Sequence, residues 1–193
     1  MKLVWKGFMN EQNLFVYPSL PPDAKKLSSD SGNLAMYLLI IPVLFIAYVG
    51  IKLRLSYTTG VMFTRWAPLA GVALALPFLI VHELIHAACC PRSTTILAYI
   101  TTAGLCLIPD SPLKKRDYIM MAVMPAIVLG ICPFLIWLLI PELSVSISSI
   151  LFGFSLGNLS VCIGDIYNAI LAGIKMTPKS VLITSGKDCY YFE

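Results

Sequence analysis

Charge is the scarcest property of this sequence. Only 14 Lys and Arg and 10 Asp and Glu occur in 193 residues, about half the share found in an average soluble domain. So few charges cannot cover a water-facing surface, and the apolar residues fall into long uncharged blocks. The composition therefore excludes an ordinary soluble domain and implies a membrane-embedded one. The basic residues are dispersed rather than forming a stripe with aromatics, so no nucleic-acid partner is indicated. None of the six cysteines (89, 90, 106, 132, 162 and 189) form a Cys-x-x-Cys pair, which argues against a zinc ribbon or a thioredoxin-like site. Cys132 and Cys162 lie in apolar blocks and read as packing residues, and Cys89-Cys90 as free thiols at a cytosolic membrane face. The first 25 residues lack the apolar core of a cleaved signal peptide, so the first membrane helix is expected to do the targeting. No internal repeat or low-complexity segment is present.

Four apolar blocks are long enough to cross a bilayer, which takes about 20 helical residues. They cover about 34–53, 66–90, 118–140 and 143–174, and the expected fold is an all-α polytopic membrane protein forming a single domain over 1–193. With four spans, both termini and the loop between spans 2 and 3 share one side. That side carries eleven of the fourteen Lys and Arg residues, the other three being Lys52, Arg54 and Arg65. The positive-inside rule then makes the termini and the central loop cytoplasmic, in what is expected to be a bacterial cell membrane. Residues 1–30 read as a polar cytoplasmic extension and 175–193 as a tail. The central loop holds two β-branched runs, 94–100 and 105–108, broken at Ala103-Gly104, and is expected to form a small hairpin. A second hairpin candidate lies in the tail, turning at Ser185-Gly186-Lys187.

Chemistry concentrates in span 2. The chain has two histidines, and they stand four apart with a glutamate between them: His82-Glu83-Leu84-Ile85-His86. On a helix, residues i and i+4 share a face, so both imidazoles can reach one metal ion. Glu83 points to a neighbouring angle, where a carboxylate can act as general base without ligating the metal. The plainer alternative is a polar cluster at a helix end. Ionisable groups at membrane depth are costly, however, and are usually functional.

Two histidines leave a zinc site one protein ligand short, and no third histidine exists. Asp165 is the leading candidate, because it is the one acid in span 4 and lies at a depth similar to that of His82. An unpaired aspartate there would be costly, whereas a cation would neutralise it. Cys89 or Cys90 is the alternative ligand. Two histidines with a carboxylate suit zinc. Asn158, two turns before Asp165, is either an oxyanion donor or a helix–helix hydrogen-bonding residue. Asn168 is a candidate to orient the Asp165 carboxylate. Gly153, Gly157 and Gly164 make span 4 either flexible or closely packed, and its length leads to the expectation of a break near Gly157-Asn158.

A span ending in HELIHA, a strand-like loop and a later span bearing Asn158 and Gly164-Asp165 together resemble a site-2-protease-type intramembrane metallopeptidase. More closely, the chain resembles a bacterial family of unknown function described as putative zincin peptidases. Trp5-Lys6-Gly7, Leu20-Pro21-Pro22-Asp23-Ala24, the Ile108-Pro109 to Pro125 region and Pro178-Lys179 to Gly186 extend that resemblance over nearly the whole chain. It implies zinc on His82, His86 and Asp165, with Glu83 as general base and a membrane protein or peptide as substrate. One departure is plain: Ile163-Gly164-Asp165-Ile166 stands where the site-2 signature has a proline-rich run ending in Leu-Asp-Gly. A zinc-binding membrane regulator without peptidase activity, or a small transporter or structural membrane protein, are the competing readings.

Overall fold

A computed structural model describes residues 2–28, 33–59, 61–102, 104–186 and 188–193. Ala103 and Lys187, expected at the two hairpin turns, and positions 29 and 30 of the expected extension lie outside the described residues. The chain divides into two compact units, each assembled from separated stretches. The first comprises Met1–Gly32, Leu79–Met124 and Asp165–Glu193, and the second Asn33–Phe78 and Pro125–Gly164.

The expectation of an all-α chain with one small loop hairpin is corrected in the first unit, which contains two sheets. Strands β1 (Lys2–Phe8), β3 (Thr95–Thr101) and β4 (Gly104–Pro109) form a three-stranded sheet in the order β1-β3-β4. The β3–β4 pair is the hairpin read from the β-branched runs. Strand β1 pairs parallel to β3, so the N-terminal stretch is part of the fold rather than an extension. A register shift between Trp5 and Gly7 interrupts that pairing, and Gly7 takes a φ of +80°, a conformation that glycine adopts without steric cost.

A second sheet in this unit joins β2 (Lys25–Lys26), β5 (Leu113–Lys114), β6 (Val181–Ser185) and β7 (Asp188–Phe192) in the order β2-β7-β6-β5. The tail is thus the β6–β7 hairpin, antiparallel throughout. Under these strands lies a core of Leu27, Ile96, Leu113, Tyr118, Ala172 and Leu182 with their neighbours. Two helices of this unit matter for the site. Helix α4 (Leu79–Cys89) carries the HELIH segment, and helix α8 (Ile163–Lys175) carries Asp165.

The second unit is helical. Its elements are α1 (Asn33–Leu38), α2 (Ile40–Tyr57), α3 (Ala67–Ala75), a π-helical segment Ala126–Ile131, α6 (Cys132–Leu139) and α7 (Val145–Val161). Helices α3 and α7 pack backbone to backbone. A Cβ on Gly153 would stand 1.9 Å from the Pro68 carbonyl oxygen, and one on Gly71 would stand 2.1 Å from that of Ile150. Close approach through small residues is how helices associate where no water drives them together. Elsewhere in this unit Phe63, Phe134, Trp137 and Phe152 form an aromatic cluster, with the Arg54 guanidinium 4.9 Å over the Trp137 ring.

Two helical stretches, Leu34–Tyr57 and Lys115–Leu139, are long and apolar enough to cross a membrane. The count rises to four if α3 with α4, and α7 with α8, are each taken as one broken span. Helix α2 exposes Ile41, Leu44, Phe45 and Tyr48, each by more than half, a band suited to lipid and not to water. The breaks have local causes. Pro77 stands between α3 and α4 and has no N–H to continue the helical ladder. The break in the last span falls at Cys162, after Gly157-Asn158, where a looser backbone was expected. Of the two readings of Gly157, close packing is the one seen, because a Cβ there would meet Ala75 at 3.0 Å.

Candidate metal centre

All the atoms of the centre belong to the first unit. Four-residue spacing on α4 puts His82 and His86 on one face, and both are buried, at 4% and 8% exposure. Their Nε2 atoms lie 2.9 Å apart. Asp165, in the first turn of α8, brings Oδ2 to 3.1 Å from His82 Nε2 and 3.5 Å from His86 Nε2.

His86 Nδ1 stands 2.8 Å from the Met121 carbonyl oxygen. A carbonyl can only accept, so Nδ1 carries the proton, and in that neutral tautomer Nε2 presents its lone pair to the centre. Three electron-pair donors thus converge with one carboxylate charge among them, an arrangement that a divalent cation satisfies at once. Donors around a tetrahedral zinc, bonded at about 2.1 Å, lie roughly 3.4 Å from one another. The observed 2.9, 3.1 and 3.5 Å separations match that triangle after small outward shifts. The residues present therefore fit the metal.

Glu83 is the next shell of the same site. Its Oε2 accepts a hydrogen bond from the Leu107 backbone N–H at 2.9 Å. Strand β4 is an edge of its sheet, and this bond shows that the Leu107 amide faces the site rather than β3. The carboxylate opens with His86 and Asp165 into a cavity of about 400 Å³, lined also by Leu107, Tyr118 and Asn168. Cys106 lies on the same wall. Burial, reinforced by the Glu83 charge, pushes its thiol up to about 11, so it stands there as a neutral group.

The remaining sequence candidates separate cleanly. Among the described residues, the group able to hold a metal is His82, His86 and Asp165, without Cys89 or Cys90. The Cys90 thiol faces the His86 carbonyl oxygen and the Met121 sulfur, each at 3.5 Å. Asn168 lies in the same cavity wall as Asp165. Asn158 belongs to the second unit, is 1% exposed, and donates its Nδ2 to the Phe154 carbonyl oxygen on its own helix. The sequence reading missed two backbone groups, the Met121 carbonyl and the Leu107 amide. Main-chain atoms leave no signature in residue type. Pro125 is the one indirect sign: four residues after Met121, it cannot supply the N–H that a helix would give that carbonyl.

Residues 75–181, more than half of the sequence, match a family described as putative zincin peptidase. The chain belongs to that family. The matched stretch contains His82, Glu83, His86 and Asp165, together with Leu107 and Met121. No curated protein and no solved structure matches the chain.

Proposed function

We propose that this zincin family member is a zinc-dependent, membrane-embedded endopeptidase, with His82, His86 and Asp165 as ligands and Glu83 as general base. The observation that carries the reading is the convergence of three ligand atoms within 4.8 Å of one another beside a carboxylate that is not one of them. A metal held only for structure does not require Glu83, and this supports the peptidase over a zinc-binding regulator. Zinc bound there supplies a Lewis acid that lowers the pKa of water to about 7.

The chain's own residues do the rest. Glu83, fixed by the Leu107 amide, takes a proton from the attacking water and delivers it to the leaving amine, so hydrolysis leaves one acid and one amine. The Met121 carbonyl holds His86 in its ligating tautomer. Strand β4 lies along the cavity as a sheet edge, so an extended segment of a membrane protein or peptide can add to it by main-chain pairing. Extended backbone leaves the scissile bond accessible. For Asn158, the committed amide favours helix bonding over an oxyanion role. The basic residues at both ends of the chain and in the loop before α5 (Lys115–Pro125) favour cytoplasmic termini in a bacterial cell membrane.

The test is metal content and cleavage on the same detergent-purified samples, with a quenched-fluorescent peptide library as substrate. Wild type is expected to hold about one zinc per chain, and Asp165→Ala to lose most of it. Glu83→Gln is expected to keep the zinc while cleavage falls by about 10²–10⁴-fold. Full cleavage by Glu83→Gln would sink the peptidase reading, and a folded wild type without metal would sink the zinc site.

A further inference from the structure

An apolar cavity of the first unit lies away from the candidate metal ligands. It is a groove of about 500 Å³ between the start of α5 and the turn that follows α8, lined by Lys115, Arg116, Ile119, Met120 and Pro178. That volume falls within the range of ligand sites, about 300–1,000 Å³. Its lining is mostly hydrocarbon, with the basic residues Lys115 and Arg116 beside Ile119, Met120 and Pro178.

Lys115 is committed: its Nζ donates to the Gly173 and Met176 carbonyl oxygens at 2.8 and 2.6 Å, closing the end of α8. Its stem only walls the groove. Arg116 is exposed and has no side-chain partner among the described residues, and the same holds for Lys114 before it and Lys179 beside Pro178. The acids nearest in sequence are engaged or half-buried: Asp110 accepts from the Thr95 amide, Asp117 is half-buried, Asp188 pairs with Lys26, and Glu193 Oε1 accepts from the Thr177 hydroxyl. Arg116 therefore lines an apolar groove without a counter-charge, and Lys114 and Lys179 are the chain neighbours of two other lining residues, Lys115 and Pro178. Lys115 is also the first residue of the apolar stretch Lys115–Leu139, which places that end where a spanning helix meets the headgroups.

We propose that this groove is a binding site for an anionic phospholipid. The acyl chain lies on Ile119, Met120 and Pro178, and Arg116 receives the phosphate with Lys114 and Lys179 beside it. A free phosphate matches the cations but leaves the hydrocarbon lining uncovered, and a zwitterionic lipid covers the lining but leaves the cations unmatched. The inference rests on Lys115–Leu139 crossing the bilayer and is independent of peptidase activity. Because α5 carries Met121 and α8 carries Asp165, the lipid would sit against both helices that complete the metal centre.

The test is retention of lipid. The full chain is reconstituted in an equal mixture of phosphatidylcholine and phosphatidylglycerol, extracted in mild detergent, and its bound lipid counted by native mass spectrometry. Wild type is expected to retain phosphatidylglycerol over phosphatidylcholine by about fivefold or more. The triple variant Lys114→Gln, Arg116→Gln, Lys179→Gln is expected to lose that preference, and Met120→Trp, which fills the groove, to lose retained lipid of both kinds. No preference in wild type, a preference that survives the triple variant, or displacement by millimolar inorganic phosphate alone would each overturn the proposal. Zinc content measured on the same samples shows whether the variants are folded and keeps a failure here distinct from a failure at the metal centre.

Discussion

The His86 imidazole donates from Nδ1 to the carbonyl oxygen of Met121, 35 positions further along the chain, at 2.8 Å. That carbonyl sits on a helix, where the N–H four residues later would ordinarily claim it. Here the residue four later is Pro125, which has no N–H. The helix thus leaves one acceptor for the histidine, and the chain turns π-helical over the following six residues, Ala126–Ile131. Pro125→Ala restores a competing donor. The expected outcome is zinc affinity weakened by about tenfold, the lower end of what such outer partners contribute, with thermal stability unchanged or raised. Competitive zinc titration against a chelator checks it, and unchanged affinity would mean that the carbonyl serves both donors.

The Glu83–Leu107 bond makes a different prediction. Because the Leu107 amide serves Glu83, its removal should cost the base its position and leave the β3–β4 ladder in place. Proline is tolerated on edge strands where the N–H faces outward. Leu107→Pro is expected to lower kcat by about tenfold or more while zinc content stays at the wild-type level. Loss of zinc together with activity would show that the substitution had disrupted the unit instead.

How much of this was legible depends on whether the information was local. The grouping of His82, His86 and Asp165 was, because the histidines obey helical spacing, and Asp165 was marked by being an acid in an otherwise uncharged span. The β3–β4 hairpin was, because β-branched runs flank a glycine. The parallel pairing of β1 with β3 was not, since it joins Leu3 to Ile96, 93 positions later in the sequence (96 − 3), and β1 stands in a stretch, 1–30, that reads as polar as a whole. Glycine in sequence left two readings open at Gly157, flexibility or close packing; in the fold the missing side chain admits a neighbouring helix, and the break waits until Cys162.

Cys106 offers a pH-dependent check on the cavity wall. Its folded thiol ionises at about 11 against an ordinary 9.0, because burial disfavours the thiolate. The folded state therefore holds the proton more tightly than the unfolded chain. Its contribution to stability is full below pH 9 and is lost as pH rises towards 11. Alkylation of Cys106 by iodoacetamide, read by peptide mass, should be slow at pH 8 and accelerate between pH 9 and 11. Cys106→Ser should retain zinc. A thiol that reacts fully at pH 8, or zinc loss in the serine variant, would mean that the residue is an ionised ligand.

The glycines of the second unit separate packing from backbone freedom. A methyl group at Gly153 would lie 1.9 Å from the Pro68 carbonyl oxygen, and one at Gly71 would lie 2.1 Å from that of Ile150. Both obstacles are main chain and cannot rotate away, so the helices must part. Gly153→Ala and Gly71→Ala are each expected to destabilise by about 1–3 kcal/mol, the usual cost of overfilling a packed contact. Gly173, inside α8, has nothing within 4 Å of its would-be Cβ, and Gly173→Ala is expected to stabilise by about 0.5–1 kcal/mol through lost unfolded-state freedom. Thermal unfolding in one detergent compares the three. If Gly153→Ala behaved like Gly173→Ala, the backbone contact between α3 and α7 would be looser than the structure has it, and the glycines would have to be explained by flexibility after all.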